Sequence, residues 1–201
     1  MKLVGSKTSP YVRKVRVILA ERALPFEFIE ESAWSADTTV PRYNPLNKVP
    51  ALVLDDGESI YDSAVICEYL DAVSGGGLLP AAPVERARVR RDEALGDGIA
   101  DAGIAAFLER KREASKQDAA WIARQLDKVN AGFDALERAL GKRHYLGGTQ
   151  PNMADIACAC ALFWSEFRLP ELSVRDAHAA VKAWAGRMEA RPSFAATRPQ
   201  A

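Results

Sequence analysis

The stretch Ser9-Pro10-Tyr11-Val12-Arg13 constrains this chain most, because a strand must hand over to a helix there. Lys2-Leu3-Val4-Gly5 before it is a short apolar run, and Val12, Val15, Ile18 and Leu19 after it recur at helical spacing. Proline suits the first helical position: the N–H it lacks would have no partner within the helix, and its φ is already set. Ser9 is therefore the expected N-cap. A helix N-terminus carries fixed positive potential, and a hydroxyl placed on it can face an anion. A plain cap has the same sequence signature, so the surroundings have to decide what Ser9 does.

Residues 2–5 read as the first strand, 10–22 as the first helix, and 26–29, alternating with acidic residues, as a second strand. From 30 to 44 Ser, Asp, Thr and Pro accumulate around Trp34 and periodicity fails, which predicts an irregular segment with one short helix. Asn44-Pro45-Leu46-Asn47-Lys48-Val49-Pro50 is turn chemistry set directly before a buried strand, 51–54. Asp55-Asp56-Gly57-Glu58 makes a hairpin turn into a last short strand, 59–61. Asp62-Ser63 then opens a helix whose Ala64, Val65, Ile66, Tyr69, Leu70 and Val73 form a wide apolar face for the sheet.

Ser74-Gly75-Gly76-Gly77-Leu78-Leu79-Pro80 and Ala81-Ala82-Pro83 make the clearest linker. The glycines are not a phosphate loop, since they follow a helix and lack the required lysine and hydroxyl. Beyond them the chain reads as helices over 84–112, 116–140, 152–167 and 176–190, the third apolar enough to be central. Asn152-Met153-Ala154-Asp155 has the form of a capping box, which assigns Asn152 and Asp155 to structure rather than to acid catalysis.

Charge excludes some functions. The 27 basic and 27 acidic side chains cancel, so nothing draws nucleic acid or an anionic membrane from a distance. Residues 156–164, the longest strongly apolar run, are too few to span a bilayer, and Met1-Lys2 leads straight into the first strand, so the expected location is cytoplasmic. Three cysteines, Cys67, Cys158 and Cys160, fall in predicted helices and read as small core residues. His144 and His178 have no recognisable partners, so no Ser-His-Asp arrangement is expected, nor any metal site.

The element order of the first eighty or so residues, with Ser9-Pro10-Tyr11-Val12 where redox relatives carry Cys-Pro-Tyr-Cys, resembles a thioredoxin-like domain. Followed by an all-helical half, the chain resembles a glutathione transferase of the bacterial serine type. The resemblance implies an α/β thioredoxin-like N-terminal domain (βαβ–ββα, mixed four-stranded sheet) over 1–76, a linker over 77–84 and an all-α helical bundle over 85–201. It implies glutathione as co-substrate, a small hydrophobic electrophile as second substrate, a detoxification role, a homodimer, and neither nucleic acid nor membrane as partner. A thiol–disulfide reductase is disfavoured, because Ser9 and Val12 stand where two sulfurs are needed. The alternative is a non-catalytic or weakly active glutathione-binding or docking module.

By the same resemblance Val49-Pro50 is cis, and Val49 offers its N–H and C=O to the cysteinyl unit. Asp62 and Ser63 take the γ-glutamyl end, and Lys48 meets the glycyl carboxylate. Asn47 replaces a common glycine and tolerates a left-handed backbone. Ser9 is cast as donor to the sulfur. A cysteine-like thiol has a pKa of about 8.5, and lowering it by about two units needs roughly 2.7 kcal/mol. A hydrogen bond to the anion gives about 1.5–3 kcal/mol and a helix terminus about 0.3–1, so no general base is required. Tyr11, Trp34, Ala105, Leu108 and Arg112 are the expected walls of an electrophile pocket between the domains. Trp164 is a further candidate better suited to the core. The box at 152–155 is a folding element in such transferases, usually with Ser or Thr where this chain has Asn152.

Overall fold

Alternating and helical periodicity resolve, in a computed structural model describing residues 1–199, into a four-stranded sheet with its helices and a separate set of helices. By contact the chain divides into two units. One is Met1–Leu79 together with the described residues from Arg191 on, and the other is Pro80–Ala190.

In the first unit β1 (Lys2–Gly5) is central. It pairs parallel with β2 (Glu27–Glu30) and antiparallel with β3 (Ala51–Val53), and β3 pairs antiparallel with β4 (Ser59–Ile60). The sheet order is therefore β2-β1-β3-β4, the expected mixed sheet. Helix α1 (Pro10–Glu21) buries Val12, Val15, Ile18 and Leu19, the residues whose spacing announced it. Helix α2 (Ser63–Val73) buries Ile66, Cys67 and Leu70, while Val65 and Val73 of the expected apolar face are exposed. Gly5 lets α1 start close to the sheet, since a Cβ there would lie 2.5 Å from Val12 Cγ2. A single 3₁₀ turn at Val40–Arg42 is the short helix of the irregular segment.

The last element of this unit groups by contact with the sheet and not with the helices of residues 80–190. Helix α8 (Pro192–Ala196) contacts α1: Phe194 is buried, Arg13 Nη2 donates to its carbonyl at 3.1 Å, and Arg191 Nε donates to Glu21 at 2.8 Å. Five residues are too few to show a helical period, so the segment left no pattern in the sequence. Asp71 was likewise unread. Buried on α2, it accepts from Leu78 and Leu79 N–H at 3.0 Å each and from Arg22 at 2.9 Å, tying down the glycine run.

The second unit holds α3 (Pro83–Arg110), α4 (Ala119–Leu140), α5 (Met153–Arg168), α6 (Val174–Ala177) and α7 (Ala179–Glu189). Every residue of α5 from Met153 to Ser165 is buried, as its apolar sequence predicted. Helix α3 packs on both α4 and α5, and glycines set how closely. A Cβ on Gly96 would stand 2.7 Å from Cys158 N and 2.8 Å from Ala157 C, both backbone atoms that cannot swing aside. Gly96→Ala is accordingly expected to destabilise by about 1–3 kcal/mol, read as a lower urea midpoint. The same change at Gly98, with open space around it, should have little effect.

The expected helix over 176–190 is broken at His178, whose backbone is extended. Glu137 on α4 explains the break by accepting the N–H groups of Ala180 and Val181 at 3.0 and 2.8 Å, which caps α7 from outside. His178 has the partners its sequence position hid: Val174 O and Asp134 Oδ1, each at 2.9 Å. Desolvation pulls its pKa down, but Asp134, the Val174 carbonyl and Glu137 together raise it above the usual 6.5. The folded state then holds the proton more tightly than the unfolded chain, so the stabilisation is complete below pH 6.5 and fades as pH rises through the raised value. The advantage of the native chain over His178→Gln in urea unfolding is expected to shrink across that rise.

Candidate active site

Strands β1 and β4 each run antiparallel to β3, so they point the same way and the helices that follow them, α1 and α2, begin at one edge of the sheet. Strand β3 starts at that edge. Its register sets Val4 opposite Ala51 and Leu52 opposite Ile60. Continuing both registers brings Pro50 beside Gly5 on one side and Asp62 on the other. Residues far apart in sequence, Ser9, Val49-Pro50 and Asp62-Ser63, thus gather where two helix N-termini direct free N–H groups outward.

Ser9 is the N-cap of α1, as Pro10 implied. Its backbone is extended and its Oγ accepts from Val12 N at 3.3 Å. With that acceptor role filled, the hydroxyl proton has no acceptor among the described residues. It is free for a ligand anion.

The Val49–Pro50 bond is cis. Buried Asn44 holds the turn before it, donating to Lys48 O at 2.9 Å and accepting from Leu46 N at 3.0 Å. Asn47 takes the left-handed backbone that its side chain tolerates, with φ of 51°. Val49 packs its side chain on Val4, Val40 and Ala51. Its N–H and C=O have no partner among the described residues, which fits a cradle for an extended peptide backbone. Lys48 is exposed.

Asp62 caps α2, its Oδ1 accepting from Ala64 N at 2.7 Å. Ser63, only 3% exposed, has no hydrogen-bond partner for its hydroxyl among the described residues. The Tyr61–Asp62 bond is also cis, which nothing in the sequence indicated.

Residues 8–73 match the family model of the glutathione S-transferase N-terminal domain, and residues 119–187 that of the C-terminal domain. The chain is 44% identical over 169 residues to the uncharacterized GST-like protein YibF of Escherichia coli K12, a match covering 84% of this chain and 83% of that protein. The chain belongs to the glutathione S-transferase family.

Solved members of that enzyme family share its fold closely. A glutathione S-transferase of Methylobacterium radiotolerans, crystallised with glutathione sulfonate, is similar at 41% identity and a TM-score of 0.95, covering 100% of this chain and 95% of that one. One of Methylobacillus flagellatus with glutathione bound is similar at 39% identity and a TM-score of 0.95, covering 99% of each chain.

In this glutathione S-transferase the other expected site residues have more varied surroundings. Trp34 is 78% exposed on the loop after β2, whereas Tyr11 is half-buried at the start of α1. Ala105 and Leu108 are half-buried on α3, and exposed Arg112 is engaged locally with Glu109 at 2.7 Å. Trp164 is a buried core residue, edge-on to Phe107 at 5.9 Å between ring centroids. All three cysteines are buried. Among the described residues no group of three or more His, Cys, Asp or Glu is arranged to hold a metal ion, and no helix is long and apolar enough to cross a membrane.

The capping box forms. Asn152 Oδ1 accepts from Ala154 and Asp155 N–H at 2.9 and 3.2 Å, and Asp155 Oδ2 accepts from Asn152 N at 3.0 Å. Asp155 does more than its sequence showed. It also accepts from Leu146 N at 2.8 Å, Gly147 N at 3.0 Å and the Trp184 indole at 2.8 Å. Burial pushes its carboxyl pKa up, against the pull of those four N–H groups.

Proposed function

We propose that this family member binds glutathione along the sheet edge where α1, α2 and β3 begin, and transfers it as a thiolate to a small hydrophobic electrophile. Val49 would pair its open N–H and C=O with the cysteinyl unit. Ser63, at the start of α2, would take the γ-glutamyl carboxylate with Asp62 supporting it, and Lys48 would meet the glycyl carboxylate. Ser9 would donate to the sulfur and hold it as an anion; proximity to the bound electrophile supplies the rest of the acceleration. Tyr11 and Trp34, and on the second unit Ala105, Leu108 and Arg112, are assigned to the electrophile on sequence grounds. A cytoplasmic homodimer acting in detoxification completes the proposal.

One observation supports this reading: the hydroxyl proton of Ser9, the backbone N–H and C=O of Val49 and the hydroxyl of Ser63 have no partner among the described residues, and all belong to one edge of the sheet. Capture on immobilised glutathione, combined with a chlorodinitrobenzene conjugation assay, tests it. Capture with turnover is the expected result. Capture without turnover across several electrophiles would point to a binding module, and failure of both would undo the site.

A further inference from the structure

The turn between β1 and α1 is built around one side chain that the proposed chemistry does not use. Ser6 Oγ accepts from Thr8 N at 3.3 Å and shares a hydrogen bond with Thr8 Oγ1 at 3.0 Å. The Ser6 carbonyl accepts from Ser9 N at 3.1 Å. On either side of this turn the chain is fixed by other means. Gly5 O accepts from Glu31 N at 3.0 Å in the sheet, and Val12 N binds Ser9 Oγ in the helix. Between those anchors Lys7 pairs with Glu30 at the surface, the two side chains 39% and 59% exposed. The Ser6 hydroxyl thus holds Thr8, and the Ser6 carbonyl holds Ser9 N, across the turn that delivers the chain to Ser9.

We infer that Ser6 is a positioning residue for thiolate formation, acting through Thr8 and the turn to aim the Ser9 hydroxyl; this rests on the reading of Ser9 as donor to the glutathione sulfur. A hydrogen bond to sulfur loses strength steeply with misalignment, and displacements on the order of 1 Å near a reacting group can cost ~100-fold. Ser6 sits three residues from Ser9 and does not itself need to touch glutathione. Loosening its turn should therefore weaken the anion's stabilisation while leaving the tripeptide's backbone and carboxylate contacts in place.

The test is a pH titration of bound glutathione, following the ultraviolet absorbance of the thiolate, on the full chain and four variants. Ser6→Ala is expected to raise the thiol's apparent pKa by about one unit and to lower kcat/KM at neutral pH about tenfold, with glutathione affinity changed less than about twofold. Thr8→Val, which keeps shape and removes only the hydroxyl partner, should shift the titration the same way by less. Ser6→Thr should restore it. An unmoved titration in Ser6→Ala, even with a lower melting midpoint, would reduce Ser6 to a structural role, and a failed rescue by threonine would do the same. Ser9→Ala in the same series separates the two levels. If it raises the thiol pKa and Ser6→Ala does not, only the role of Ser6 falls; if it changes nothing, the reading of Ser9 falls and takes that role with it.

Discussion

Asp155→Ala is expected to destabilise the protein by more than about 4 kcal/mol, an effect well beyond the usual point mutant. The side chain is fully buried and its two oxygens accept from four N–H groups on three separate segments. Each buried donor left without an acceptor costs about 1–3 kcal/mol, and water entering the vacated space recovers only part of that. Against a total stability of about 5–15 kcal/mol the loss brings the native state close to unfolding. Asp155→Asn separates acceptor count from size: it keeps the shape but turns an NH₂ toward donors, so at least half of the loss should remain. Urea midpoints of both variants measure this. A near-normal midpoint for the asparagine variant would mean that two acceptor positions suffice and that the four-bond account is wrong.

The second large effect is catalytic. Ser9→Ala is expected to lower conjugation of chlorodinitrobenzene about 10- to 100-fold, the equivalent of the roughly 1.5–3 kcal/mol that a hydrogen bond to an anion supplies. Glutathione affinity should change only a few-fold, because the proposed contacts of Val49, Ser63 and Lys48 with the tripeptide do not involve the hydroxyl. Folding should tolerate the change at a cost of about 0.5–2 kcal/mol for a lost N-cap, since Ser9 Oγ accepts from Val12 N. Steady-state rates and a direct binding measurement together decide it. Loss of affinity with unchanged turnover of the residual complex would assign Ser9 to binding instead.

The features that could be read ahead of the structure are those whose logic is local. Pro10 marks the start of α1 through its own φ, Asn47 marks a left-handed turn through its side chain, and Asn152 and Asp155 mark a box through a spacing of three. The strands and long helices follow from period, which made the buried α5 legible, whereas the mixed sheet was implied by the resemblance of the element order to a thioredoxin-like domain. What stayed hidden depends on partners distant in the chain. The pairing of His178 with Asp134, the grip of Asp71 on Leu78 and Leu79, and the three further donors of Asp155 exist only once elements have packed. At the candidate site the same division holds: the caps Ser9 and Asp62 and the left-handed Asn47 were readable from local patterns, whereas the Ser6 turn needed coordinates to be seen.

The packing of α8 on α1 makes the sheet-bearing unit discontinuous, begun by the first residues of the chain and completed from Arg191 on. A ribosome therefore delivers the last piece of the first unit only after the whole second unit has emerged. Until then Arg13 and Glu21 lack Phe194 and Arg191, so the unit that carries the candidate site is the last to receive all of its partners, and a cut at the glycine run would remove them.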